Sequence, residues 1–196
     1  PPKLLNVPLN GLMAYFPMNG NANDISGNEY HGILHNVISV EDRDGAEDGA
    51  MYFDGNSYIE LPRKNELHFG GFSPYTIASW VKNEGMEDKR SIVISKFNGG
   101  IAAGWYLGID GTGEVRSYRN VVPWSLGTQQ SILTDKYYHL ATSYDGQILR
   151  IYINGEEVAY KAFTSHPSDR KTPTIIGGQG LPPDSRTRST TNRLTP

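Results

Sequence analysis

The stretch "YYHLATSYDGQILRIYINGEEV" runs from Tyr137 to Val158 and decides the fold class. Two apolar runs, Tyr137–Tyr144 and Leu149–Ile153, flank the turn sequence "YDGQ", and the second ends at Asn154-Gly155. An Asn-Gly pair accepts the positive φ angles of a two-residue hairpin turn, which makes it the strongest short hairpin signal. Successive side chains of a strand point to opposite faces. Leu149, Ile151 and Ile153 therefore share one side and are expected in a core. Arg150 and Tyr152 share the other.

The same rhythm extends along the chain. Short apolar runs recur at Leu12–Phe16, Gly32–Val37, Ala50–Phe53, Tyr58–Leu61, Tyr75–Lys82, Ser91–Phe97, Gly104–Ile109, Glu114–Tyr118, Glu157–Phe163 and Thr174–Ile176. Turn sequences such as "FDGN", "FNGG" and "DGTGE" separate them, and no long amphipathic helix interrupts the pattern. About a dozen short strands at this spacing imply an all-β sandwich or barrel. The 22 Gly, 12 Pro and 12 Tyr of the 196 residues fit that class, and the length suits one domain with a tail. In "YTIASWVK", Tyr75, Ile77, Ser79 and Val81 lie on one face, while Thr76, Ala78, Trp80 and Lys82 lie on the other. Trp80 thus leaves the apolar face. It is expected under a covering loop or on a concave sheet surface.

Composition removes several function classes. There is no cysteine, so neither disulfides nor thiolate metal sites can form. The net charge is −3 with Lys and Arg scattered, so no basic stripe suggests a nucleic-acid partner. No apolar run approaches the length that crosses a bilayer. The chain opens at Pro1-Pro2 without Met, which reads as a processed or excised piece and leaves the compartment unread. From Pro182 onward only Leu194 is strongly apolar. Residues 1–10 are therefore read as a lead-in, 11–181 as the sandwich and 182–196 as a flexible polar tail.

Several segments together resemble one family. "GLMAYFPMNGNANDISGNEYHG" is similar to the opening strand and first loop of laminin-G-like domains of the concanavalin A-like lectin/glucanase superfamily. "AMYFDGNSYIELP" resembles that family's second landmark. "YTIASWVK" and the opening stretch resemble its central Trp strand and late strand pair. Order and spacing agree over residues 10–178. The resemblance implies a jelly-roll sandwich of two antiparallel sheets. Such domains close with a strand of the type "G-x-I-D-E-V-R-I-Y", in whose place "LPPDSRTRSTTNRLTP" stands here. That departure implies an unpaired edge and an uncovered core strip, with three alternatives: a truncated chain, a strand supplied by another chain with homo-association through the open edge, or a tail that pairs poorly.

Three kinds of chemistry have candidate residues. Asp24, Ser26 and Asn28 alternate in "NANDISGNEYHG", after Asn19, Asn21 and Asn23. Hard oxygen donors of this kind suit calcium, but they equally suit an Asx-turn closed by Gly27. The family resemblance implies a structural calcium at this loop. The acidic stretch "EDRDGAED" (Glu41, Asp42, Asp44, Glu47, Asp48) reads as a solvated loop that could lend a carboxylate. It also offers the nearest approach to a glucanase E-x-D-x-x-E signature, at Asp42, Asp44 and Glu47. A loop holds two carboxyls poorly at a fixed separation, so catalysis is not expected. His31 and His35 are four residues apart in a segment read as strand. They, His68, His139 and His166 are expected as hydrogen-bonded edge or surface residues. A sugar needs an aromatic platform with amide or charged partners. Trp80, Tyr106, Tyr118, Trp124 and Arg150 are the candidates, with Asn120, Gln129 and Gln130 beside Trp124.

These features point to a non-catalytic binding module of an extracellular protein, with carbohydrate as its ligand. A structural or adhesion module that contacts protein is the alternative. A glycoside hydrolase is disfavoured by the lack of a carboxylate pair.

Overall fold

A computed structural model describes residues 9–85, 90–97, 104–164, 172–178 and 192–195. Fourteen strands occur among them. The first four are β1 (Ile33–His35), β2 (Ile38–Val40), β3 (Ala50–Phe53) and β4 (Tyr58–Glu60). The long strand β5 (Tyr75–Asn83) leads to β6 (Ser91–Lys96), β7 (Trp105–Ile109), β8 (Glu114–Arg119) and β9 (Ser125–Ser131). β10 (Tyr137–Tyr144), β11 (Ile148–Ile153) and β12 (Glu156–Ala162) form a meander, followed by β13 (Ile175–Ile176) and β14 (Asn192–Thr195).

They build two antiparallel sheets. The first has the order β1-β4-β13-β6-β7-β8-β9, the second β12-β11-β10-β5-β14-β3-β2. The early strands cross repeatedly between the sheets, β2, β3 and β5 lying in the second and β1, β4 and β6 in the first, which is how a jelly roll winds. Apolar residues from both inner faces meet between them, among them Met51, Phe53, Val81, Leu107, Ile109, Val115, Leu140, Leu149 and Ile151. The alternation expected for the opening stretch holds: Leu149 and Ile151 are fully buried and Ile153 packs against the core, while Arg150 and Tyr152 face outward. Gly177, with φ of 77°, shows how close the layers come. A Cβ there would lie 2.0 Å from the Phe53 ring.

Four expectations are corrected. Leu12–Phe16 is not a strand; its backbone is held by the loop that follows. β2 escaped notice because only two of its three residues are apolar and it is an edge. β9, "SLGTQQS", is a polar edge strand that buries only Leu126 and Thr128. Most consequential is β14. Asn192–Thr195 pairs with β5 on one side and β3 on the other, with Leu194 opposite Val81 and Met51. Over these residues the chain itself fills the place read as an open edge, and they belong to the sandwich. Composition hid this strand, because a ladder on both sides supplies in backbone hydrogen bonds what its side chains lack. The proposed lead-in up to residue 8, residues 182–191 and His166 lie outside the described residues.

Candidate functional site

The sequence-derived aromatic candidates divide between opposite outer faces of the sandwich. Tyr106 and Tyr118 sit on the first sheet. β7 and β8 are joined by the tight turn at "DGTGE", whose Asp110 carboxylate accepts from the N–H groups of Thr112 (2.9 Å) and Glu114 (3.1 Å). That turn fixes the register, so Tyr106 lies opposite Tyr118 and Gly108 opposite Arg116. The two tyrosine rings are parallel, with centroids 5.1 Å apart. Phe97 packs against both, and Ile92 joins the cluster. Tyr106 is buried and supports Tyr118, which stays half-exposed.

Beside the rings the surface is lowered. Gly108 pairs with Ile92 and with Arg116, and Arg116 pairs with Gly127. A Cβ on Gly127 would lie 2.9 Å from Glu114 Oε2 and 3.3 Å from Arg116 Nη1. The arginine therefore lies flat across the strand because β9 carries no side chain there. Its Nε donates to Asp110 Oδ2 and its Nη2 to Glu114 Oε2 at 2.8 Å. Burial pushes the Asp110 carboxyl up, but hydrogen bonds from Thr112 and Arg116 outweigh it and hold the group below the usual carboxylate range. The result is a shallow polar floor with an aromatic wall. All three charged side chains keep some exposure.

Trp124 stands at the end of this face, on the turn between β8 and β9. Arg119 N–H donates to Trp124 O (2.9 Å), and Trp124 N–H to Val121 O (2.6 Å). Its φ of 71° places a bulky residue in the left-handed region, and its side chain is 50% exposed. Tyr118 Oη donates to Asn120 Oδ1 at 2.8 Å on the same turn. A strained, hydrogen-bonded turn that displays an indole is a feature often found at ligand sites. Gln129 and Gln130 are exposed further along β9.

Trp80 and Arg150 lie on the outer face of the second sheet. Trp80 is half-buried under the guanidinium of Arg43, 4.6 Å from its centroid, with His139 edge-on at 5.4 Å. Of the two places expected for Trp80, the structure supports the covering loop, since Arg43 belongs to the acidic stretch between β2 and β3. Arg150 donates to Asp145 (2.6 Å) and pairs with Glu157 (3.4 Å). Neither residue adjoins the tyrosine face.

The Asp24 loop is closed by its own hydrogen bonds. Asp24 Oδ1 accepts from the N–H groups of Tyr15 and Ser26, both at 2.9 Å, and Oδ2 from Ser26 Oγ (2.8 Å) and Tyr30 N–H (3.0 Å). Asn28 Nδ2 donates to the carbonyls of Leu12 and Met13, both at 3.0 Å. His31 Nδ1 accepts from Asp24 N–H. Burial pushes the Asp24 carboxyl up, but bonds from Tyr15, Tyr30 and Ser26 hold it below the usual range. Calcium takes six to eight oxygens. This set supplies one carboxylate, with both oxygens already engaged, and carbonyls taken by an amide. As arranged, it does not fit the ion. Among the described residues no three His, Asp or Glu side chains converge to hold a metal. Asp42 likewise spends its carboxylate within its own loop, accepting from Asp44 and Ala46 N–H.

Sequence reasoning missed Arg90, Asp110, Glu114 and Arg116. The signal was present in "DGTGE": a tight turn sets which residues of the flanking strands stand side by side.

Comparison with known proteins gives consistent relatives. Residues 53–190 match a laminin-G family model described as the concanavalin A-like lectin/glucanases superfamily. The non-toxic nonhemagglutinin of Paraclostridium bifermentans is 29% identical over 143 residues, covering 70% of this chain and 12% of that protein. The chain spans about a tenth of the length of the sequence relatives it matches. Among solved structures, the binding domain of Paraclostridial Mosquitocidal Protein 1 superposes with a TM-score of 0.69 at 18% identity, over 88% of this chain and 44% of that one. Domain 4 of AbnA, an arabinanase of Geobacillus stearothermophilus solved with arabinotriose, gives 0.64 at 20% identity, over 94% and 91%. Identities this low bear on the fold alone. No helix among the described residues is long and apolar enough to cross a membrane.

Proposed function

Because this chain belongs to the concanavalin A-like lectin/glucanases superfamily, we propose that it is a non-catalytic module that binds carbohydrate on the outer face of its first sheet, in an extracellular protein. One observation carries the reading. The stacked pair Tyr106–Tyr118 stands directly beside a floor where Gly127 lets Arg116 lie flat between Asp110 and Glu114. A sugar presents an apolar face to a ring and vicinal hydroxyls to paired charged groups, and this surface offers both. Trp124 adds an exposed ring at the end of the face. The arabinotriose complex of the AbnA domain agrees with a sugar ligand on this fold.

A binding role rather than hydrolysis is supported at this face by its two carboxylates, which are spent on Arg116. Glycoside cleavage needs an acid whose pKa is raised. Asp110 is instead held ionised by Thr112 and Arg116.

A glycan array with the full chain tests the proposal. Binding to at least one oligosaccharide is expected, with a loss of about tenfold or more in Trp124→Ala or Tyr118→Ala, as for single stacking contacts. Trp124 is exposed, so its variant should melt as the parent does. An array without signal above background would overturn the reading.

A further inference from the structure

The tyrosine face carries two arginines, and the fold uses only one of them. Arg116 is bridged to Asp110 and Glu114. Arg90, just before β6, is exposed, and its guanidinium carbon stands 5.0 Å from the Tyr106 ring centroid. It makes no ion pair among the described residues. The Tyr106 hydroxyl makes no hydrogen bond among them either, whereas that of Tyr118 is taken by Asn120. Arg90 lies near enough to both phenols for its charge to favour their ionised forms against the opposing effect of burial.

We propose that the carbohydrate bound here carries an anionic group, a carboxylate or a sulfate ester, received by the Arg90 guanidinium with the Tyr106 hydroxyl as a second donor. The inference rests on the carbohydrate reading of this face. A guanidinium is a planar fork that matches either oxyanion with two parallel hydrogen bonds. Stacking on Tyr106 holds the fork in place, so less freedom is lost on binding. A neutral sugar covering the same surface would strip water from Arg90 and return no charge, a cost an acidic sugar avoids. Asp110 and Glu114 are both tied to Arg116 and together leave that cluster one negative charge, but neither is paired with Arg90, whose fork stays open to an oxyanion.

Titration calorimetry with the full chain separates the cases. The probes are a galacturonic acid tetramer, a sulfated oligosaccharide of equal length and a neutral galactose tetramer. At low salt one anionic probe should bind at least about tenfold more tightly than the neutral one, the worth of one charge-assisted pair. The preference should shrink as salt rises. Arg90→Gln should abolish the preference by weakening the anionic probe, while the neutral probe binds as well or more tightly, since the uncompensated desolvation of the charge is gone. Arg90→Lys should restore it in part, since it returns the charge without the fork. The probe preferred shows whether carboxylate or sulfate is the group read. Equal affinity for neutral and anionic probes, or a preference intact in Arg90→Gln, would overturn the inference while the carbohydrate reading stands. If no probe binds and the glycan array is silent, both fall.

Discussion

Arg119 is the least expected residue of the core. It points inward from β8, fully buried, with its guanidinium carbon 3.7 Å from the Tyr144 ring centroid and 5.5 Å from that of Tyr75. Nη2 donates to Gly71 O at 3.0 Å, while Nε and Nη1 have no hydrogen-bond partner among the described residues. A desolvated cation over a ring gains about 2 kcal/mol, which does not cover the burial of a charge. Replacement by an apolar side chain of similar length should therefore cost nothing. Arg119→Met is expected to melt at or above the parent temperature. Arg119→Ala, which leaves a void, should melt several degrees lower. A marked fall in the Met variant would mean that the charge itself stabilises the core. Nothing in the sequence marks this arginine as buried except its place in an alternating strand, after Val115 and Ser117.

Asp24 is the opposite case, a carboxylate whose charge the fold uses fully. Its folded pKa is lowered, so its contribution is present above the unfolded value of about 3.9. That contribution is lost as pH falls through the lower folded value. Asp24→Asn should cost about 2 kcal/mol near neutrality, and the gap to the parent should close below about pH 4. Thermal melts across that range check it. The parent's melt should not change with chelator, since Asp24 is saturated by protein donors. A fall on adding EDTA that Asp24→Asn abolishes would restore calcium to this loop. Composition left turn and cage level here, because the two use the same residue types. Only the direction of the N–H groups separates them.

At the scale of elements, the β8–β9 pair holds the floor of the proposed site. Gly127 is there to leave room. Gly127→Val should push the Arg116 fork off the strand and weaken sugar binding by about tenfold or more. Stability should fall by no more than about 1 kcal/mol, because β9 is an edge strand. Calorimetry and melting on one sample separate the two effects, and a variant that binds normally would remove the floor from the site. The aromatic half of the proposed site is legible by residue type, which puts Tyr106 and Tyr118 among the candidates. The polar half was not, since Arg116 looks like any surface arginine until Gly108 and Gly127 are placed on either side. Trp80 was legible in part. Its outward phase was read correctly, but only the fold brings Arg43 over its ring.

For the whole molecule, β14 decides whether the second sheet is one layer or two. Removing residues 192–196 would leave β3 and β5 with facing, unpaired ladders. Such edges recruit other chains. The shortened protein is expected to lose several degrees of stability and to self-associate in light scattering, whereas the full chain stays monomeric. A monomeric, equally stable truncation would show that the strand contributes little. The jelly-roll class was legible from period-two alternation and turn spacing alone, since both are local. The closing strand was not, because its only apolar residue, Leu194, gives no period to read.

That seam also orders the fold in time. The proposed binding face is a run of consecutive strands, β6 to β9, each paired with its sequence neighbour. Such local pairings form early and quickly. β14 instead joins strands far back in the chain, Asn192 meeting Asn83 and Phe53. A nascent domain would thus display a finished binding surface on a half-open sandwich until its latest-made strand slots in. Run backward, the same step would expose the β3 and β5 ladders to a protease. Backbone amides of β14 and β3 should exchange with solvent well before those of β7 and β8, and bound sugar should slow the second group more than the first.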